Sequence, residues 1–247
     1  MSKRIALVTG GTGGIGTSIC KQLCADGFTV VANYISFEAE KAQAWLEAQR
    51  AAGLDVHIAE ADVSSYDSCV AMVEKIKAEV GAISVVVNNA GITKDGVMKK
   101  MPVENWMAVI NVNLNSVFNV TRPVINDMLD AGWGRIVNIS SINGQKGQFG
   151  QANYSAAKAG MHGFTKALAQ ETASKGITVN TISPGYIGTD MVMAIKEEVR
   201  NQIIAGIPMG RLGKPEEIAK LISYLVSEDA AFITGANIAI NGGQHMC

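Results

Sequence analysis

Short apolar runs alternate with longer, helix-like stretches along the whole chain. Seven of these runs are rich in β-branched residues and end in turn-forming or small polar residues, which is the pattern of a strand. They predict strands at 4–10, 28–34, 55–62, 84–91, 135–141, 177–185 and 237–241. Helix-like segments of about a dozen residues or more separate most of them.

The predicted strands show little alternation of apolar and polar positions, as expected for strands that helices bury on both faces. A strand–helix rhythm carried through seven strands predicts the α/β class, with a doubly wound, parallel, seven-stranded sheet and helices on both faces. We expect one domain over residues 1–247 that carries every site. Ligands of such sheets bind beyond the carboxyl ends of the strands.

Charge and hydropathy exclude two classes of partner. The 247 residues carry a formal net charge of −1, with a pI near 6.3, so we expect no nucleic-acid partner. No run reaches the ~20 apolar residues of a membrane span, and the amino terminus enters a strand pattern directly. These features predict a cytoplasmic protein with no membrane partner.

The four cysteines do not have the spacing of a metal site. We interpret them as buried small hydrophobes and one thiol in the tail, and we expect no metal. They are Cys20, Cys24, Cys69 and Cys247.

The first strand runs into the glycine-rich stretch TGGTGGIG at 9–16. Glycines between a strand and a helix let the backbone approach a pyrophosphate, which the helix N-terminus then attracts. The spacing differs from the commonest dinucleotide motif, and a purely structural turn is the alternative. The expected cofactor contacts are Gly10, Thr12, Gly13, Gly14, Ile15 and Gly16.

The end of the second strand bears on the choice between NAD and NADP. NAD sites usually place a carboxylate there for the ribose 2′-hydroxyl, whereas this chain has Asn33 and Tyr34. Ser36 and Lys41 can contact a 2′-phosphate, although Lys41 can equally be a solvated helix residue. We expect NADPH to be preferred, and an aspartate at position 33 to shift the preference toward NADH.

Two further strand ends carry polar residues. Asp62 can accept a hydrogen bond from the adenine amino group or belong to the N-cap of the next helix. Asn89 can bridge neighbouring strand ends through its amide. Gly91 leaves room for a cofactor to lie close, and a plain turn is the alternative.

Tyr154 and Lys158 stand four residues apart among small neighbours, so on a helix they share one face. An ammonium near the phenol lowers its pKa and makes it a usable acid or base at neutral pH. A surface pair is the alternative. Ser141, at the end of the fifth strand, can stabilise the oxygen of a substrate carbonyl, and Ser140 faces the other way.

The ordered set of motifs resembles the short-chain dehydrogenase/reductase family over essentially the whole chain. It comprises TGxxxGxG at 9–16, NNAG at 88–91, Asn113, Ser141, YxxxK at 154–158 and SPG at 183–185. The resemblance implies a Rossmann-type fold, a homotetramer and a nicotinamide cofactor that supplies hydride.

The resemblance also implies roles for individual residues. Tyr154 would be the catalytic acid/base, Ser141 would orient the carbonyl, and Lys158 would hold the nicotinamide ribose and lower the tyrosine pKa. Asn113 would position a relay water. Further cofactor contacts would come from Val63, Ala90, Ile92, Pro184, Gly185 and Ile187, besides Tyr154 and Lys158 themselves.

Within the family the chain is similar to two groups of reductases, which act on 3-oxoacyl-carrier protein and on acetoacetyl-CoA. The stretches PGYIGTDMV and INGGQHM favour the second group, whose product, (R)-3-hydroxybutyryl-CoA, serves polyhydroxybutyrate synthesis. The resemblance places Asp95 and Lys100 near the thioester or CoA arm. It places the acyl pocket at Gln148, Phe149, Gly150, Gln151 and Tyr186.

Physical reasoning adds three expectations about the substrate. Phe149 and Tyr186 would cap a short acyl tail. Gly132 and Trp133 stand where carrier-protein reductases often have a docking cation, which favours CoA. Residues 186–208 would form a lid with hinges at Gly188 and Gly206, or a static helix pair. A nucleotide-binding scaffold or sensor is the non-enzymatic alternative, which has no need of a tuned phenol.

Overall fold

A seven-stranded, all-parallel sheet lies between two layers of helices in the computed structural model, which describes residues 3–246. The strand order is β3-β2-β1-β4-β5-β6-β7, so the direction of winding reverses between β1 and β4. That reversal creates the crevice where doubly wound folds bind ligands. The strands are β1 (Ile5–Val8), β2 (Thr29–Tyr34), β3 (Val56–Glu60), β4 (Ile83–Asn88), β5 (Gly134–Ile139), β6 (Ile177–Pro184) and β7 (Asn237–Ile240).

Helices follow every strand up to β6. They are α1 (Gly14–Ala25), α2 (Ala39–Ala51), α3 (Tyr66–Glu79), α4 (Val103–Ile110), α5 (Ser116–Ala131), α6 (Ile142–Lys146), α7 (Ala152–Thr172), α8 (Asp190–Met193), α9 (Glu197–Ala205) and α10 (Pro215–Val226). A π-helical stretch, Asn111–Asn115, joins α4 to α5.

The core consists of two apolar clusters, one on each face of the sheet. Val8 of β1 packs in the cluster that contains Ile19 of α1 and Ile222 of α10. Leu7, the residue before it, packs in the other cluster, with Met72 of α3 and Val120 of α5. Since successive strand residues point to opposite faces, apolar partners on both faces explain why the strands show little alternation.

The described cysteines behave as small apolar side chains. Cys20 and Cys69 are buried and Cys24 is half-buried. Burial raises the pKa of Cys24 to about 11 and that of Cys69 to about 12, so both thiols stay protonated at neutral pH. Cys247 lies outside the described residues.

Residues 3–246 lack two features that would bear on function. No helix in this range is long and apolar enough to cross a membrane. The same range contains no cluster of three or more histidine, cysteine, aspartate or glutamate side chains suited to a metal ion.

Trp133 lies at the amino end of β5, opposite the strand ends that carry the predicted site. The guanidinium carbons of Arg4 and Arg135 lie 3.5 and 4.4 Å from its ring centroid, and its indole donates to Glu228. Arg135 is only 2% exposed. Trp133 therefore fastens β1 to β5 at the amino end of the sheet. Within one chain, Gly132 and Trp133 lie away from the predicted pocket, and the argument for CoA from these two residues stays a prediction.

The start of the 186–208 segment is held to Gly213 by two backbone hydrogen bonds. Gly188 N donates to Gly213 O at 2.8 Å, and Gly213 N donates back to Tyr186 O at 2.9 Å. Gly188 is thus held by its hydrogen bond to Gly213, while Gly206 ends α9 with an ordinary φ of −85°. The two glycines lack the unpaired, left-handed backbone that would mark them as hinges, and closure of the segment stays a prediction.

Candidate active site

The carboxyl ends of four neighbouring strands converge at the reversal of the sheet. The glycine-rich loop follows β1, residues 89–95 follow β4, Ser141 follows β5, and residues 185–187 follow β6. The first turns of α7 bring Tyr154 to the same edge. The motifs that are scattered through the sequence therefore meet in one place.

Tyr154 and Lys158 share a face of α7, as predicted. The Lys158 ammonium lies 5.6 Å from the centroid of the Tyr154 ring and donates to Ile139 O at 2.6 Å. Lys158 is 3% exposed. Lys158 is therefore buried and Tyr154 is half-buried, so the alternative of a surface pair is wrong.

The electrostatics of the pair differ from the expectation. Burial lowers the pKa of Lys158 to about 7. Burial raises the pKa of Tyr154, a hydrogen bond with Ser141 lowers it, and the charge of Asp95 raises it further. In this structure Ser141, and not Lys158, lowers the tyrosine pKa. The net effect keeps the phenol protonated, which suits an acid that donates to a substrate.

Ser141 is oriented by the turn that it starts. It is the N-cap of α6, and its hydroxyl oxygen accepts from Asn143 N at 3.1 Å. Since the oxygen is used as an acceptor there, its own hydrogen is available to Tyr154 or to a carbonyl oxygen. Ser140 donates to Lys158 O at 2.9 Å and is buried, so the two serines face apart as strand alternation predicts.

Asn113 is fully buried in the π-helical stretch, a feature that often occurs at functional sites. Its Oδ1 accepts from Ile92 N at 3.0 Å, and its Nδ2 donates to Ile92 O at 2.8 Å and Val109 O at 3.0 Å. Both amide hydrogens are used, so the side chain has none to donate to a relay water. A Cβ on Gly91 would overlap Asn113 Oδ1, so this glycine also makes room for Asn113.

The glycine-rich loop fits a pyrophosphate. Helix α1 starts at Gly14 with Gly13 as its N-cap, no side chain caps it, and its first turn has no acidic residue. A Cβ on Gly16 would overlap the carbonyl of Gly10, whose φ is +59°. Bare N–H groups in a loop without side chains are the donors that a phosphate requires. Thr12 is buried and Ile15 is half-buried beside them.

Asn89 bridges strand ends as predicted. Its Nδ2 donates to Thr9 O at 2.9 Å and to Gly10 O at 3.2 Å. Thr9, which sequence reasoning missed, accepts through its hydroxyl from the backbone N–H groups of Asn89 and Ala90. The loops after β1 and β4 are therefore held together before any ligand binds.

Asn33 is not placed as expected. It is 2% exposed, its Oδ1 accepts from Gly10 N at 3.3 Å, and its Nδ2 donates to the carbonyls of Tyr34, Ala59 and Ala61. Its amide is used within the protein in this structure, and a direct contact with the ribose 2′ position stays a prediction. Asn33 instead fixes the glycine-rich loop to β3.

Three other predicted residues near the 2′ position remain accessible in part. Burial, and then Glu60, raise the pKa of the half-buried Tyr34. Ser36 is exposed, and Lys41 lies 3.7 Å from the Glu38 carboxylate on the surface. Ser36 and Lys41 are therefore the side chains left for a phosphate.

The remaining cofactor candidates lie around these loops. Asp62 is exposed, and its Oδ1 closes a turn by accepting from Ser64 N and Oγ at 2.9 and 2.7 Å, while Ser65 caps α3. The adenine contact of Asp62 stays a prediction. Val63 and Ile187 are buried, Pro184 ends β6, and a Cβ on Gly185 would lie 2.9 Å from Asn241 Cα.

The predicted substrate residues separate into three groups. Gln148, Phe149 and Gly150 line an open groove of about 360 Å³, in which Phe149 is 87% exposed. Tyr186 lines another cavity of about 100 Å³, together with residues that include Ile187 and Gly213. In this structure Phe149 and Tyr186 therefore do not close one acyl pocket together.

The third group connects to the catalytic residues. Gln151 Nε2 donates to Asp95 Oδ2 at 2.8 Å, and its Oε1 accepts from Asn143 at 2.9 Å. Both ends of the Gln151 amide are thus hydrogen-bonded within the protein. Lys100 is exposed in the turn Met98–Lys100, beside the groove.

Asn143 and Asn153 escaped the sequence analysis. Asn153 is fully buried; its Oδ1 accepts from Tyr154 N at 2.8 Å and its Nδ2 donates to Lys94 O at 3.0 Å. A small polar residue beside a motif carries no sequence signal of its own, since its partners lie in distant segments.

Comparison with known proteins decides the family. The family model described as short chain dehydrogenase matches residues 4–200. The chain belongs to the short-chain dehydrogenase family. It is therefore an oxidoreductase, and the family implies a nicotinamide cofactor.

Relatives in the family are similar over nearly their whole lengths. The chain is 61% identical to an acetoacetyl-CoA reductase of Allochromatium vinosum over 98% of this chain and 99% of the relative. It is 58% identical to an acetoacetyl-CoA reductase of Cupriavidus necator over 100% of both chains. Identity to a 3-oxoacyl-[acyl-carrier-protein] reductase of Pseudomonas aeruginosa is 44% over 98% of both.

Replacing Asn33 by aspartate should damage the fold instead of switching the cofactor. A buried carboxylate would face the carbonyls to which Asn33 now donates, which we expect to cost on the order of 3 kcal/mol of unfolding free energy. Binding of both NADH and NADPH should weaken. Urea unfolding and cofactor fluorescence titration test this.

Ser36→Asp is the matched control, because Ser36 is exposed at the same strand end. It should weaken NADPH binding and leave stability nearly unchanged. A stable Asn33→Asp protein that prefers NADH would contradict the structural role of Asn33.

Replacing Lys158 by methionine should stabilise the protein at low pH. With a folded pKa of about 7 and an ordinary value of 10.5, only the unfolded chain holds this proton between those pH values. The parent's stability therefore rises with pH across that window, and the full cost of burying the ammonium is present below it. We expect a gain on the order of 1–3 kcal/mol near pH 6, vanishing near pH 10.

Urea unfolding at several pH values measures that gain. Lys166→Met, on the exposed face of α7, should show no comparable pH-dependent gain. Equal effects of the two substitutions would refute a desolvated Lys158.

Proposed function

We propose that this protein reduces acetoacetyl-CoA to (R)-3-hydroxybutyryl-CoA with NADPH, as a step of polyhydroxybutyrate synthesis. The observation that carries the proposal is the full-length identity of 58–61% to proteins named acetoacetyl-CoA reductase. The half-buried Tyr154 and Ser141 and the buried Lys158 provide groups that this chemistry needs. One domain would carry both the cofactor and the substrate sites.

The bound nicotinamide would supply hydride to the ketone carbon. Ser141, whose oxygen is held by Asn143 N, would donate a hydrogen bond to the ketone oxygen. Tyr154, kept protonated by burial, would transfer its proton to that oxygen as negative charge develops there. Lys158, with a pKa near neutrality, can exchange a proton and hold a ribose hydroxyl.

The residues for the cofactor are divided between two elements. The uncapped N-terminus of α1 would bind the pyrophosphate. The preference for NADPH rests on Ser36 and Lys41, together with the absence of a carboxylate at the end of β2. Glu38 lies close to Lys41 and reduces the positive charge there.

The choice of CoA over carrier protein rests on the surface near the groove. Lys99 and Lys100 lie in the turn beside Phe149 and can meet the phosphates of CoA. The 21 basic residues are balanced by 22 acidic ones and form no dense basic stripe in the sequence, which does not favour an acidic carrier protein.

We also propose that the protein is a homotetramer. Val103 and Met107 of α4 and Phe118 of α5 are 71%, 48% and 51% exposed, and Phe118 stacks on Tyr66 at 6.0 Å. Another copy of the chain would cover this apolar face. Sedimentation should give the mass of four chains, and a monomer would refute the proposal.

The function predicts consumption of NADPH in the presence of acetoacetyl-CoA. Tyr154→Phe removes the acid and should lower kcat roughly 10²–10⁴-fold, while cofactor binding persists. Absorbance at the NADPH band measures turnover, and fluorescence titration measures binding.

Tyr224→Phe, on the exposed face of α10, is the matched control and should retain parent activity. Near-parent turnover of Tyr154→Phe would refute the acid assignment. Cofactor binding with no turnover of any short 3-ketoacyl thioester would favour a nucleotide-binding scaffold or sensor.

The carrier is tested by comparing kcat/KM for acetoacetyl-CoA and for acetoacetyl-carrier protein. We expect the CoA thioester to have the higher value. The two thioesters share the pantetheine arm, so a difference reports on contacts outside the pocket. Higher efficiency with the carrier-protein thioester would move the protein to fatty-acid synthesis and leave the catalytic assignment unchanged.

A further inference from the structure

Three consecutive residues after β4 are fastened to the start of the catalytic helix. Lys94 O accepts from Asn153 Nδ2 at 3.0 Å, Asp95 Oδ2 accepts from Gln151 Nε2 at 2.8 Å, and Gly96 N donates to Gly150 O at 2.7 Å. These three hydrogen bonds set the position of the Asp95 carboxylate relative to Tyr154, whose helix starts at residue 152.

The contact between Asp95 and Gln151 continues through two further hydrogen bonds, the second of which is donated by a backbone N–H group. Gln151 Oε1 accepts from Asn143 Nδ2 at 2.9 Å, and Asn143 N donates to Ser141 Oγ at 3.1 Å. Asn143 is 8% exposed. Asp95, Gln151, Asn143 and Ser141 therefore form one hydrogen-bonded path from the loop after β4 to the catalytic serine.

The charge of Asp95 sets the direction of the two bonds between side chains in this path, whereas the bond from Asn143 N to Ser141 is donated by the backbone in any case. An ionised carboxylate only accepts, so Gln151 must present its NH₂ group to Asp95 and its oxygen to Asn143. Asn143 must then present its NH₂ group to Gln151. Its Oδ1 is left buried and has no hydrogen-bond partner within residues 3–246. A path of neutral amides would have no such preference for direction.

We infer that Asn143 and Gln151 are positioning residues, which hold the Asp95 carboxylate and the catalytic serine in one directed hydrogen-bonded unit beside Tyr154. This inference rests on the proposed ketone reduction. It assigns to Gln151 a role in holding the site, and it adds Asn143 to the residues on which the reaction depends.

The unit explains how the loop after β4 acts on the acid. The groups that face Tyr154 are Lys158 on its own helix, Asp95 on the loop and Ser141 at the start of α6. The nearby negative charge of Asp95 raises the pKa of Tyr154, which favours the protonated phenol that a reduction needs. Removing that charge should therefore move the loss of activity at high pH to a lower pH.

A set of isosteric exchanges tests the direction of the path. Asp95→Asn removes the charge but keeps a side chain that can donate or accept, so the path can persist. Asn143→Asp places Gln151 between two carboxylates, and its single NH₂ group can serve only one of them. The double variant Asp95→Asn with Asn143→Asp allows both side-chain bonds to form again in the opposite direction, while the backbone N–H of residue 143 still donates to Ser141.

The expected kinetic results differ for each variant. Asn143→Asp should lower kcat roughly ten- to hundredfold, with a smaller change in KM, because it misplaces catalytic groups. The double variant should recover most of that loss. Asp95→Asn should shift the alkaline limb of the kcat profile to lower pH. A double variant no more active than Asn143→Asp, or a parent-like Asn143→Asp, would overturn the inference.

A second readout does not require the proposed substrate. Ultraviolet titration of tyrosinate, with Tyr154→Phe as the reference to be subtracted, gives the pKa of Tyr154 directly. The pKa should fall in Asp95→Asn. An unchanged pKa would overturn the inference even if acetoacetyl-CoA proved not to be the substrate. Thermal unfolding of each variant completes the test, since activity losses that simply follow lost stability would show a merely structural role.

Discussion

A backbone that leaves a parallel sheet loses its ladder partners, and here asparagine side chains replace them. Asn33 and Asn89 hold the glycine-rich loop, Asn113 holds Ile92, and Asn153 holds Lys94. Buried backbone groups need such partners. Three of these residues are at most 2% exposed, so the loops around the crevice are fixed from inside the protein.

Burial shifts the pKa values of the two residues that form the catalytic pair on α7. Burial brings the pKa of Lys158 near neutrality and raises that of Tyr154, and the two shifts have opposite consequences. The phenol remains a proton donor, whereas the lysine can gain or lose a proton near neutral pH. A free lysine lacks this property, which follows from the loss of water around Lys158. The proposed reaction therefore depends on the packing around Tyr154 and Lys158.

The two ends of the sheet divide stability from chemistry. At the amino end, Trp133 lies against two arginines and joins β1 to β5. At the carboxyl end, glycines and asparagines leave backbone groups and a crevice accessible to a cofactor. Identity to the relatives extends over both ends. One end of the sheet is thus tightly packed, and the other carries a site whose residues come from many segments.

The sequence by itself determined the sheet, the number of strands, and the shared face of Tyr154 and Lys158. These follow from spacing within one element, which hydrophobic periodicity and helix geometry report directly. Motif order also determined which strand ends would meet, because parallel strands place their carboxyl ends at one edge.

Only the tertiary structure decided which polar groups are already used. Asn33 lies where a cofactor contact was expected, but its amide is used by β3 and the glycine-rich loop. Phe149 and Tyr186 line separate cavities, and Gln151 is occupied at both ends. A residue's hydrogen-bond partners and its distance from distant segments depend on how the elements pack, and no local pattern contains that information.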